Sequence, residues 1–375
     1  MISKVKQNIM CHVSNWPGWR TDRTIVVIES DDWGSIRMPS RETLNELILK
    51  GYPLEKCTYS SNDALETNKD LEYLLDILNS VRDAKGHPAI FTVNNIVANP
   101  DFKKIKEANF RKYFYEPFVA SLERFPNRDK VMSLYRKGID EKLLKPQFHG
   151  REHVHADHWI NTLRNGSQKL LEIFDHDMFT YYKGENSSCK SEFLDALAAY
   201  DENQLTSLET KIKEGLDLFE EIWGYRSKTI IAPCYIWNRK TEEFFHRYGI
   251  NLIQSGRVQK EPTGNEEKYN LIRRYTGQKN KYGQVYTIRN VIFEPTSDPS
   301  IDWVDKALHE ISTAFLWKKP AIISAHRVNF SGSINPNNRE KSLDCLYELL
   351  NKILKKWPEV EFMSSDQLAK LIMDN

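Results

Sequence analysis

Residues 23–30, RTIVVIES, form an apolar run with no internal alternation, and two aspartates follow it directly. A strand with one wet face alternates polar and apolar positions, so an unbroken run belongs to a strand covered on both faces. That environment is found in parallel sheets flanked by helices. The same form recurs in HPAIFTVNNI (87–96), LLKPQF (143–148), SKTIIAPCY (227–235), INLIQSG (250–256), QVYTIRNVIFEP (284–295), KKPAIISAHR (318–327) and EVEFMSS (359–365). Amphipathic stretches separate these runs, among them SRETLNELILKG with Ser40 as N-cap and Gly51 at its end, LTSLETKIKEGLDLFEEIWG ending at Gly224, and KSLDCLYELLNKILKKW. Seven or eight parallel strands alternating with helices predict a (β/α) barrel or a doubly wound sheet, both of which carry active sites at the C-terminal strand ends. Residues 97–145 and 156–210 exceed ordinary connections. They read as helical insertions over the mouth of one domain spanning 1–375.

Composition narrows the partners. Lys and Arg number 53 against 52 Asp and Glu, a net charge of +1, so no global field draws the chain to nucleic acid or an anionic surface. No run of about 18 apolar residues is present, which predicts no membrane span. MISKVKQNIMCHVSN has no apolar signal core, and the five cysteines are scattered without a C-x-x-C pair. The expectation is a cytoplasmic chain with reduced thiols.

The polar residues at predicted strand ends are Glu29–Asp32, Asn94 and Asn95, His149 onward, Cys234–Asn238, Gln254, Glu294 and His326–Asn329. His149 and His153, four apart, would share one side of a helical turn and could share a metal. A third ligand must come from another strand end. Asp31 and Asp32 are candidates, because adjacent carboxylates need a positive partner, and a metal explains one while the other serves as base. A turn capped by either aspartate is the plainer alternative. His326 closes a buried strand and reads as a general acid or as a structural histidine. Tyr235 can offer a donor to an oxyanion. Cys234 as nucleophile is the rival, but no basic residue stands near it in sequence. His155 and His158 read as exposed, with a supporting place behind the metal ligands as the alternative.

Taken in order, ESDDWG, HGREH, APCY, IISAH and EVEFMSSDQL resemble the polysaccharide deacetylases of the NodB-homology type (carbohydrate esterase family 4). The resemblance implies a distorted (β/α)7–8 barrel and a divalent metal ion, zinc by expectation, held by Asp32, His149 and His153. It further implies Asp31 as base, Tyr235 as oxyanion donor, His326 as general acid, and an acetylated sugar or glycan as substrate. Three departures stand out. Gly150 occupies a Ser/Thr position, APCY lacks the expected arginine, and the insertions lengthen the chain. Arg151, Arg239 and Arg327 are candidates for the missing guanidinium. Trp33 for stacking on a sugar face, with Arg37, Asn94, Arg151 and Asn329, complete the expected substrate contacts. Two other readings remain: a catalytically silent carbohydrate-binding barrel, and a glycoside hydrolase pairing Asp31 or Asp32 with Glu294.

Overall fold

The computed structural model describes residues 2–183, 193–265 and 268–374. Residues 184–192 of the expected 156–210 insertion lie outside the described residues. Nine strands form the central sheet: β1 (Ile25–Trp33), β2 (Phe91–Ile96), β3 (Leu144–Gly150), β4 (Thr229–Ile231), β5 (Leu252–Ser255), β6 (Val285–Ile288), β7 (Val291–Ile292), β8 (Ala321–His326) and β9 (Glu361–Met363). Their order is β6-β5-β4-β3-β2-β1-β8-β7, and β9 pairs with the start of β1. All pairings within this sheet are parallel. Only Arg289 and Asn290 separate β6 from β7, yet these strands lie at opposite ends of the order. The two residues therefore bridge the edges and curl the sheet into a distorted (β/α) barrel.

All nine residues of β1 are buried, as the unbroken apolar run demands. Val26 and Ile28 enter the main core beneath the outer helices. Ile25 and Val27 face the other way, onto Val285, Ile322, and Leu368 and Ile372 of the helix Ser365–Met373. Each such side chain contributes about 1.5–3 kcal/mol on burial. The same inner face continues through Glu29 and Asp31, so an apolar floor gives way to a polar layer at the C-terminal strand ends.

Helix limits follow local chemistry. Ser40 accepts from the Thr43 amide at 3.1 Å, and Gly224 ends the helix Glu202–Trp223 in the left-handed conformation at φ +76°. The 97–145 insertion contains a two-strand pair, Ala98–Pro100 with Tyr115–Pro117, and the helices Phe102–Glu107, Phe118–Arg124 and Val131–Asp140. A second antiparallel pair, Val258–Pro262 with Tyr269–Arg273, has no counterpart in the sequence reading. No described helix is long and apolar enough to cross a membrane.

Candidate metal centre

Asp31 and Asp32 would point to opposite faces of a regular strand. The register of β1 against β2 slips between Ser30 and Trp33, and Asp32 adopts φ +72°, a conformation costly for a residue other than glycine. This bulge turns both carboxylates toward the same set of imidazoles. His149 is the sixth residue of β3, and His153 lies in the bend beyond it. The pair is thus carried by a strand end and a loop, correcting the expected helical turn. Gly150 permits the exit from β3: its φ is +141°, and a Cβ there would stand 3.2 Å from the Glu152 carbonyl. A Ser or Thr could not hold that backbone without strain.

His149 Nδ1 donates to the Ile231 carbonyl at 2.9 Å. In the neutral ring, Nε2 then carries a lone pair, and it faces Asp32 Oδ1 at 3.4 Å. His153 Nε2 lies 3.1 Å from the same oxygen, and its buried Nδ1 has no hydrogen-bond partner. Burial lowers the His153 pKa, favouring the neutral ring that a metal requires. All three ligand atoms lie within 4.8 Å of one another, the only such cluster of His, Cys, Asp and Glu among the described residues. Ligands bonded at about 2.0–2.1 Å in a tetrahedron stand about 3.3 Å apart. The spacing and the convergence of lone pairs fit a divalent cation.

Asp31 is held by a guanidinium that the sequence reading missed. Arg289 Nη2 and Nη1 donate to its Oδ1 and Oδ2 at 2.6 Å each, while Arg289 Nε donates to Glu29 at 2.7 Å. Ser365 donates to the other oxygen of Glu29 at 2.7 Å. Burial opposes ionisation of Asp31, but Arg289 prevails and holds the carboxyl at about 2. None of the three arginines considered from sequence occupies this place. Arg151 is bound to Glu152 and Glu214 over the Tyr115 ring, Arg239 to Glu261, and Arg327 to Asp63 and Glu66. The signal for Arg289 was an arginine inside an apolar run, which must find a buried acid.

His326 stands opposite Asp31 in the β1–β8 ladder. Its Nδ1 lies 2.6 Å from Glu294 Oε1, and its Nε2 lies 3.8 Å from Asp31 Oδ2. Burial works against the charged ring, but the Glu294 carboxylate outweighs it and raises the pKa to about 9. Asn329 donates to Glu294 Oε2 at 2.7 Å, so it orients this dyad and is not a substrate contact. Glu294 is thereby engaged with His326 and Asn329.

Tyr235 follows Cys234 in two successive left-handed residues, each at φ +57°, which bring its hydroxyl beside Arg289. The Cys234 thiol is pushed up to about 12 by burial and is no nucleophile at neutral pH. Asn94 is fully buried and donates to Asp31 at 2.8 Å, a supporting position below the site. Trp33 has 0% exposure and stacks on Phe330, so the expected sugar platform is part of the core. Arg37 does reach the site, 4.0 Å from Asp32 Oδ2. His155 is buried, and its Nδ1 caps the helix Ala156–Arg164, correcting the expected exposure. Tyr59, not singled out from sequence, meets His326 edge-on at 5.7 Å.

No family model and no curated protein matches the chain. Among solved structures it is similar to the 4-alpha-glucanotransferase from Thermococcus litoralis, at 10% identity and TM-score 0.43, covering 92% of this chain. The chain spans only 40% of that enzyme. It is also similar to two proteins assigned as polysaccharide deacetylases. One is from Mycobacterium smegmatis, at 12% identity and TM-score 0.41, covering 96% of this chain and 93% of that one. The other is from Pseudomonas aeruginosa PAO1, at 11% identity and TM-score 0.42, covering 93% and 91%.

Proposed function

We propose that the chain is a metal-dependent hydrolase that removes an acetyl group, as amide or ester, from a sugar or a cytoplasmic glycan precursor. The observation that carries this reading is the convergence of Asp32, His149 and His153 beside two differently tuned groups, Asp31 with Arg289 and His326 with Glu294. A divalent ion held by the three ligands, zinc being the expected metal, supplies Lewis acidity toward the acyl oxygen and acidifies water.

The chain's own groups supply the rest. A carboxylate offers about four lone-pair directions, and Arg289 and Asn94 fill three on Asp31. The remaining one is on Oδ2, the oxygen facing His326. Asp31 accepts the proton of water through it as the oxygen adds to the acetyl carbonyl. The Tyr235 hydroxyl is a donor for the resulting oxyanion. His326, charged by virtue of Glu294, gives its proton to the departing nitrogen or oxygen as the C–N or C–O bond breaks. The products are acetate and a free amine or alcohol.

The test joins metal analysis with acetate release from a panel of N- and O-acetylated sugars. Wild type is expected to hold one equivalent of metal and to lose activity on chelation. Asp31→Asn is expected to keep metal and lose at least 100-fold in kcat, while His149→Ala loses both. An active, metal-free His149→Ala protein would sink the reading. Metal retained with no turnover on any sugar would favour the silent carbohydrate-binding barrel.

A further inference from the structure

Beyond the groups already given work, one largely buried cation has no hydrogen-bond partner among the described residues. Arg37 lies in the loop leaving β1, and its side chain is only 12% exposed. The guanidinium sits over the rings of Tyr59 and Phe179, 5.7 and 5.9 Å from their centroids. Its nearest carboxylates are Asp63 at 3.7 Å and Asp32 at 4.0 Å, both beyond hydrogen-bond length. Among the described residues nothing accepts a hydrogen bond from it, and Nε is buried without an acceptor. Each acid has a closer partner elsewhere. Asp63 accepts from Arg327 at 3.0 Å, and Asp32 faces His149 and His153. A guanidinium this far out of water, with its Nε–H unfilled, gains from an acceptor that reaches it. The aromatic faces hold it in place, and its planar fork suits a two-oxygen anion. Tyr59 also meets His326 edge-on, so Arg37 and the acid of the reaction share one wall.

We propose that the site selects substrates bearing an anionic group, a carboxylate or a phosphate, near the acetylated position, and that Arg37 binds that group. This rests on the hydrolase reading above, since an acetyl group held at the Asp32–His149–His153 cluster brings the rest of the sugar within reach of Arg37, 4.0 Å from Asp32 Oδ2. Neutral hydroxyls can accept from Arg37, but a charged acceptor bonds about twice as strongly.

The experiment titrates three probes into wild type, Arg37→Gln and Arg37→Lys by calorimetry, with and without added Zn2+. The probes are an N-acetylhexosamine, its 6-phosphate and the matching N-acetylhexosaminuronate. Acetate release from each is followed in parallel. At least one anionic sugar is expected to bind wild type 10-fold or more tighter than the neutral one, and the preferred probe separates phosphate from carboxylate. Arg37→Gln is expected to abolish that preference while keeping the wild-type metal content. Arg37→Lys retains charge without the fork and is expected to lose part of the preference, giving the comparison should the Gln variant fail to fold. A wild type without anionic preference, or a preference that survives both substitutions, overturns the proposal. Arg37-dependent anion binding without turnover of any probe would keep the anion site and remove acetyl hydrolysis. Equal, Arg37-independent turnover of all three would do the reverse.

Discussion

The single side chain with the clearest consequence is Glu294. Its carboxylate, 2.6 Å from His326 Nδ1 and fixed by Asn329, reverses the effect of burial and sets the imidazole pKa near 9. The folded value lies above the ordinary one of about 6.5, so the sign is definite. The stabilisation from this pair is complete below about pH 6.5 and is lost as pH rises through about 9. The general-acid proton follows the same titration, and kcat for acetate release is expected to fall on an alkaline limb near pH 9. Glu294→Gln keeps shape and removes the charge. The limb should move down by at least one pH unit, with kcat at pH 8 reduced by about 2-fold or more. A limb unmoved in Glu294→Gln would assign it to another group.

Among elements, the decisive one is the two-residue break between β6 and β7. From sequence, QVYTIRNVIFEP reads as one strand, because its apolar positions continue on both sides of Arg289 and Asn290. In the fold the chain crosses there between the two ends of the sheet, and Arg289 turns inward to Glu29 and Asp31. Local pattern records burial, but not which strand a segment pairs with, since pairing is a property of the closed sheet. Other features were legible for the opposite reason. β1, β2 and β8 and the helix ending at Gly224 follow from runs and caps whose cause is local. His149, His153 and Asp32 were readable as ligand types at strand ends. Trp33 was misjudged because one slipped residue in β1 moved it from the mouth into the core. The break carries its own prediction. Arg289→Gln strands two buried carboxylates, Glu29 and Asp31, without a cation. Losing one partner of such an ion pair costs on the order of 3–5 kcal/mol, which denaturant unfolding would read directly. Activity should fall at least 100-fold with it, since Asp31 loses its orientation. A variant within about 1 kcal/mol of wild type would show that the seam closes without this guanidinium.

At the scale of the whole molecule, the proposed metal ties together β1 and β3, which β2 separates in the sheet. Asp32 is the last residue but one of β1, His149 the last but one of β3, and His153 belongs to the loop that leads into the 156–210 insertion. His149 Nε2 stands 3.4 Å and His153 Nε2 3.1 Å from the same Asp32 oxygen, so the three side chains converge on one point at the mouth. An ion that binds only the folded chain adds RT ln(1 + [L]/Kd), about 4 kcal/mol at 1,000 times Kd. In a chain of this length the thermal shift per kcal/mol is smaller than the roughly 2–4 °C of mid-sized domains. Chelation is therefore expected to lower Tm by about 5 °C. The same treatment should leave the Tm of His153→Ala unchanged, because that variant has no site to empty. A buried structural imidazole with no metal predicts a different pattern. Wild type would ignore the chelator, and His153→Ala would be destabilised equally with or without it. Scanning calorimetry of both proteins, with and without chelator, distinguishes the two patterns without any assay of activity.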